Sequence, residues 1–78
     1  MREEIKIRFN SHKVSESQSK KMERIRQAHE TLALLVNKLI PDSREKSLSL
    51  TKIEESMLHA NCAIARQNAR EGYTETPN

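Results

Sequence analysis

Apolar positions recur along two stretches of this chain at alternating steps of three and four. In the first, Met22, Ile25, Leu32, Val36 and Leu39 keep that spacing, with His29 as the one polar member and Ala28 and Leu35 widening the stripe. In the second, Leu50, Ile53, Met57, Ala60 and Ile64 repeat it over two heptads. That rhythm belongs to helices packed against other helices. Pro41 separates the two, because proline disfavours helical geometry at the residue before it and donates no backbone hydrogen bond. The first helix is expected to begin at Ser17 or Ser19, with Ser15 or Ser17 as its cap, and to end at Leu39. Asp42, with Glu45 three residues on, reads as a capping-box start for the second helix. A link this short joins antiparallel neighbours, so the pattern predicts an αα-hairpin, each arm about 30 Å long.

The two ends read differently. Ile5, Ile7 and Phe9 alternate with Lys6 and Arg8, the period of a short strand, and a polar stretch follows to Lys20. A lone strand is not stable by itself, so this arm is expected to lie on something, a neighbouring subunit included. Beyond Arg70, Gly72 and the turn residues around it predict a frayed tail. The resulting division is an arm or lid over 1–20, a hairpin domain over 21–70 and a flexible tail over 71–78. Two helices bury one seam, yet Leu48, Leu58 and Cys62 lie off it and the first stripe is wider than one partner needs. The expected fold is therefore all-α: an antiparallel helical hairpin with an extended N-terminal arm, assembling into a helical homo-oligomer.

Composition strengthens the case for assembly. The chain has 78 residues and 35% apolar content, below the roughly 45–50% of an ordinary globular chain. A domain of this size buries only about 60% of its unfolded surface, which leaves a monomer marginal. Cys62 has no partner for an internal disulfide, so oligomerisation is the remaining route to stability. No apolar stretch has the length of a membrane span or the shape of a signal peptide. The net charge of +3, from 14 basic and 11 acidic residues, suits a phosphate-bearing ligand or simple solubility. It is too evenly mixed for duplex nucleic acid, which calls for a concentrated basic patch. Gly72 is the one glycine, so no glycine-rich phosphate loop exists.

Catalytic sets are missing from the pattern. His59 and Cys62, at i and i+3, are half a zinc site with no second pair at metal spacing. His29-Glu30 opens like a zincin motif but meets Ala33 where the second histidine belongs. Glu54 and Glu55 are adjacent and point about 100° apart on a helix, while Lys52 and Glu55 read as a surface ion pair. No catalytic residue, metal or cofactor is expected, and the chain is not read as an enzyme. His29 on the stripe is either a tolerated core-edge histidine or a polar register marker.

Two polar groups carry more information. Ser43, Arg44, Lys46 and Ser47 crowd the start of the second helix, where free backbone N–H groups already favour an anion. Either an anionic partner answers the two cations, or Asp42 and Glu45 neutralise them locally. Thr51, Asn61 and Arg66 offer side chains suited to nucleobase edges or phosphate, or else are ordinary solvated positions.

As a whole, residues 41–66 closely resemble the signature helix of the phage anti-CBASS cyclic-oligonucleotide sponge family, whose hairpin is shared with the anti-Thoeris sponge. The matching positions are Pro41, Ser43, Arg44, Glu45 and Ser47, then Thr51, Lys52, Ile53, Glu54 and Glu55, then Asn61, Ala63, Ile64, Ala65 and Arg66. Upstream, Arg8, Phe9 and His12 with Ile25-Arg26 extend the likeness to roughly residues 8–67. The resemblance implies a protein that binds cyclic di- and trinucleotides without degrading them and so blocks CBASS-type immune signalling. It implies a compact helical homohexamer in the cytoplasm of the infected bacterial host, with no membrane or duplex nucleic-acid partner. Carried over by position, Phe9, Ser11, His12, Lys13 and Arg26 would form the cyclic dinucleotide pocket under an N-terminal lid. Ser43, Arg44, Ser47 and Arg66 would serve a cyclic trinucleotide site near a threefold axis. Family members often carry a tyrosine where Ser11 stands and a tryptophan where His59 stands, and an arm tyrosine is a stacking platform worth about 1–3 kcal/mol per base. The competing reading from the residues alone is a small oligomeric hairpin that serves as a co-regulator or assembly adaptor for a protein or nucleic-acid ligand.

Overall fold

A computed structural model describes residues 1–70, so the tail expected over 71–78 lies outside the described residues. Four helices follow in order: α1 (Arg2–Phe9), α2 (Glu16–Leu39), α3 (Arg44–Ala65) and α4 (Gln67–Arg70). No strand occurs among the described residues. The long helices α2 and α3 pack against each other as the expected hairpin.

The seam of α3 is the one the spacing gives: Leu50, Ile53, Met57, Ala60 and Ile64 are all half-buried. The seam of α2 departs from a strict heptad. Met22, Ile25, His29, Ala33 and Val36 are half-buried, while Leu32 and Leu39, expected on the stripe, are 46% and 64% exposed. A straight helix turns every 3.6 residues, so a 3.5-residue pattern drifts off the contact line within a few turns. Ala33 takes the inward place, and Leu32, Leu35 and Leu39 rotate away.

Both helix starts are defined by serines. Ser15 Oγ accepts from the Gln18 backbone N–H at 3.0 Å, and Gln18 Oε1 accepts from the Ser15 N–H at 2.8 Å, a complete capping box. So α2 begins at Glu16, ahead of the expected Ser17 or Ser19. For α3 the cap is Ser43, which accepts from the Lys46 N–H at 3.1 Å. Asp42, expected in that role, instead accepts from Lys46 Nζ at 2.9 Å. A serine one residue nearer the first turn reaches the free N–H, and the longer aspartate is left for the lysine.

The expectation of a short strand at Ile5–Phe9, and with it a fully extended arm, is corrected. Arg2–Phe9 is helical, only residues 10–14 lack helix before the Ser15 cap, and α2 runs through position 20. Three alternating apolar residues fit a strand, but Ile5 and Phe9 are equally i and i+4 of a helix. Glu3 and Glu4 in the first turn and Lys6 and Arg8 in the last complement the helix dipole and favour the helical choice.

The molecule is one helix layer thick. Its extents are 48 × 28 × 15 Å and its radius of gyration is 15.7 Å, against about 11 Å for a compact domain of this length. No apolar side chain is fully buried among the described residues. Leu34, Leu39 and Leu58 are 61%, 64% and 52% exposed. A lone protomer thus has a seam and no core.

Candidate functional site

Polar chemistry concentrates at the end of the hairpin where α2 begins and α3 ends. Gln18 is buried there and does two jobs: it closes the capping box, and its Nε2 donates to the Ile64 carbonyl at 3.0 Å, tying the two helices together. Helix α3 breaks at Arg66, whose backbone lies at φ −95°, ψ 2° before α4 resumes. Against this end lies α1. Arg66 Nη2 donates to the Arg8 carbonyl at 3.3 Å, and Arg70 grips Glu4 with both terminal nitrogens. The Arg70 guanidinium, through those hydrogen bonds, holds the Glu4 carboxyl below its ordinary value, and Glu4 in turn raises Arg70. Nothing in the sequence announces a pair 66 positions apart.

The residues expected to form a dinucleotide pocket fall into two places. Phe9, Ser11 and Lys13 are exposed in and after α1, and His12 is half-buried with Nε2 donating to the Ile7 carbonyl at 2.6 Å. Arg26 is elsewhere. Its guanidinium binds Glu23, from Nε at 3.1 Å and from Nη2, and it lines a small cleft of about 160 Å³ with His29, Leu50 and Glu54 that none of the arm residues reaches. That pairing holds the Glu23 carboxyl below its ordinary value.

A larger open cleft lies on the first half of α2. Ser17, Lys20, Lys21 and Arg24 line about 480 Å³ of it, with Glu16 at one end. A second recess of about 390 Å³ shares Lys21 and Arg24 and continues over Ile25, Ala28 and Ile64. Lys21 and Arg24 were not singled out from the sequence; their i, i+3 spacing beside Lys20 was the available signal.

The four residues expected at a trinucleotide site do not meet within one protomer. Ser43, Arg44 and Ser47 stand at the start of α3 and Arg66 just past its end, about 33 Å away at 1.5 Å per residue. Only another copy could bring the two ends together. The open question at the start of α3 divides. Lys46 is nearly buried and spent on Asp42 and the Asn37 carbonyl, each at 2.9 Å, where it caps the end of α2. Its hydrogen bond holds the Asp42 carboxyl below its ordinary value. Arg44 stays exposed. The Asp42–Lys46 spacing of four, legible in the sequence, is an ion pair here, the local neutralisation that was one of the two alternatives.

His29 Nδ1 lies 2.8 Å from the Ile25 carbonyl, which only accepts, so Nδ1 carries the proton and Nε2 accepts from Ser56 Oγ at 3.0 Å. That bond crosses from α2 to α3 and marks their register. Lys52 and Glu55 pair at 3.2 Å as expected. Asn61 Oδ1 is buried without a hydrogen-bond partner, while Thr51 is exposed. Cys62 is a free, half-buried thiol. Among the described residues no group of three or more His, Cys, Asp or Glu side chains is placed to hold a metal ion, and no helix is long and apolar enough to cross a membrane.

No curated protein and no solved structure matches the chain. The family model described as Acb2/Tad1, hairpin domain, matches residues 1–65, taking in α1 and stopping one residue short of Arg66. Spanning most of the sequence and the whole α2–α3 hairpin, that match establishes that the chain belongs to the Acb2/Tad1 hairpin family, the anti-CBASS and anti-Thoeris sponges.

Proposed function

We propose that this protein sequesters cyclic di- and trinucleotides intact, starving the effectors of CBASS-type bacterial immunity in the cytoplasm of the infected host. The observation that carries the proposal is the family match over residues 1–65. Three features of the protomer support it. The hairpin leaves its leucine-rich faces uncovered, as a subunit of a larger helical assembly would, and a homohexamer is the expected form. The cations at the two ends of α3 share a pocket only if copies come together, and a threefold arrangement would present one side chain to each phosphate of a cyclic trinucleotide. The segment at Phe9–Lys13, exposed except at the half-buried His12, is suited to closing over a ligand, with Phe9 or His12 stacking on a base.

The test is recovery. The protein is mixed with excess cyclic dinucleotide or trinucleotide, freed of unbound ligand on a desalting column, denatured, and the released nucleotide identified by mass. Intact ligand in amounts set by the protein supports sequestration. Linear product would make the protein a nuclease, and an empty protein peak would sink the reading.

A further inference from the structure

We propose that α1 is an autoinhibitory strap on Arg66: its C-terminal end holds the guanidinium where a phosphate would, and a cyclic trinucleotide must displace α1 to bind there. This rests on the reading of Arg66 as a phosphate-binding residue and adds what controls its availability.

The carbonyls at the end of α1 show where the strap is fastened. A helix leaves its last carbonyls without intrahelical donors, and they carry the negative end of its dipole. Asn10 Nδ2 donates to the Lys6 carbonyl at 2.7 Å and His12 Nε2 to the Ile7 carbonyl at 2.6 Å, both from the segment that follows α1. The next carbonyl, that of Arg8, takes its donor from the hairpin, Arg66 Nη2 at 3.3 Å. The second fastening is Glu4, gripped by both terminal nitrogens of Arg70. Arg66 ends α3 and Arg70 ends α4, so one short stretch of chain holds α1 at both points.

That hold is light. No residue of α1 is fully buried, and Ile5 and Phe9 are exposed, so α1 has no apolar anchor among the described residues. The Arg66 bond is long for a charge-assisted contact, which ordinarily lies at about 2.7–2.9 Å. It also engages one nitrogen of a group shaped to meet a phosphate with two. A phosphodiester brings a full charge and a second oxygen, so it competes well against a single carbonyl.

Ligand and strap exclude each other by charge. The hydrogen bonds from Arg70 are the chief cause of the lowered Glu4 carboxyl, and the charge of Arg66 adds to it, so Glu4 lies within the field of Arg66. A phosphate on Arg66 would therefore face the Glu4 carboxylate while α1 stayed docked. Apparent affinity is then reduced to the fraction of protomers whose α1 has let go.

The experiment titrates the full chain and its variants Glu4→Gln and Arg70→Lys with cyclic triadenylate by calorimetry. Hydrogen exchange of residues 2–9 is followed in the free and saturated wild type. Glu4→Gln removes the charge of the strap at unchanged length, and Arg70→Lys keeps the charge of the hairpin but loses the two-pronged grip. Each variant is expected to bind at least about threefold tighter than the wild type, and the ligand is expected to strip protection from the α1 amides. Wild-type affinity in both variants, or α1 protection that the ligand leaves unchanged or raises, overturns the strap and leaves sequestration standing. A wild type that ignores the ligand while Glu4→Gln binds it upholds the strap. If no variant binds cyclic triadenylate or cyclic GMP–AMP, the strap and the sponge reading fall together.

Discussion

Removing the Gln18 side chain tests how the end of the hairpin where α2 begins and α3 ends is held. In Gln18→Ala two hydrogen bonds disappear, one closing the capping box on the Ser15 N–H at 2.8 Å and one to the Ile64 carbonyl at 3.0 Å. Each is worth about 1 kcal/mol net, and the groups left behind lie where water reaches them poorly. Alanine returns roughly 0.4 kcal/mol through its better helix propensity. The expected loss is about 2 kcal/mol, which for a domain of this size lowers Tm by about 8–15 °C. The readout is the melt of the helical circular dichroism signal at one fixed protomer concentration, because Tm depends on concentration for any chain that self-associates. Ser15→Ala loses the other half of the box, about 1 kcal/mol, without touching Ile64, so it should melt well above Gln18→Ala. A Gln18→Ala protein melting within about 2 °C of the wild type would show that the tether between α2 and α3 contributes nothing.

Other perturbations probe the remaining links. Leu39→Glu, at a leucine 64% exposed in the protomer, is expected to dissociate the assembly. The charge would be forced into a contact where each leucine contributes about 1–2 kcal/mol, and an unchanged molar mass by light scattering would place the subunit contact on another face. Glu4 titrates below its ordinary value of 4.5, so its contact with Arg70 stabilises α1 fully above that value and is lost as pH falls through the lowered one. Protection factors of the α1 amides, referred to the intrinsic exchange rate at each pH, should fall on acidification below 4.5, and Arg70→Ala should abolish that step by releasing α1 at all pH values. Arg66→Ala is expected to abolish cyclic trinucleotide binding while leaving oligomer mass unchanged, and unaltered titration heats would remove Arg66 from that site.

The parts of the fold legible in the sequence were those governed by local period and backbone covalent limits. The α3 seam from Leu50 to Ile64 and the Lys52–Glu55 pair follow from spacing, and the stop at Leu39 follows from Pro41. The N-terminal helix was not legible, because Ile5, Ile7 and Phe9 fit both periods and its tie to the hairpin, Glu4 to Arg70, spans 66 positions. The inward place of Ala33 over Leu32 comes from drift that a heptad count cannot register. Among the candidate site residues, sequence chemistry does not tell which cations are already paired. Arg26 and Lys46 look as available as Lys21 and Arg24 until Glu23, Asp42 and the Asn37 carbonyl are placed beside them.

The central claim is that copies of this hairpin jointly enclose cyclic nucleotides. Calorimetric titration of the purified protein with a cyclic dinucleotide, a cyclic trinucleotide and a linear dinucleotide, paired with its molar mass in solution, tests it most directly. Tight binding of both cyclic ligands and not the linear one is predicted, with one cyclic dinucleotide per two protomers and one cyclic trinucleotide per three. A monomer, or an oligomer that takes up neither cyclic ligand, would contradict it.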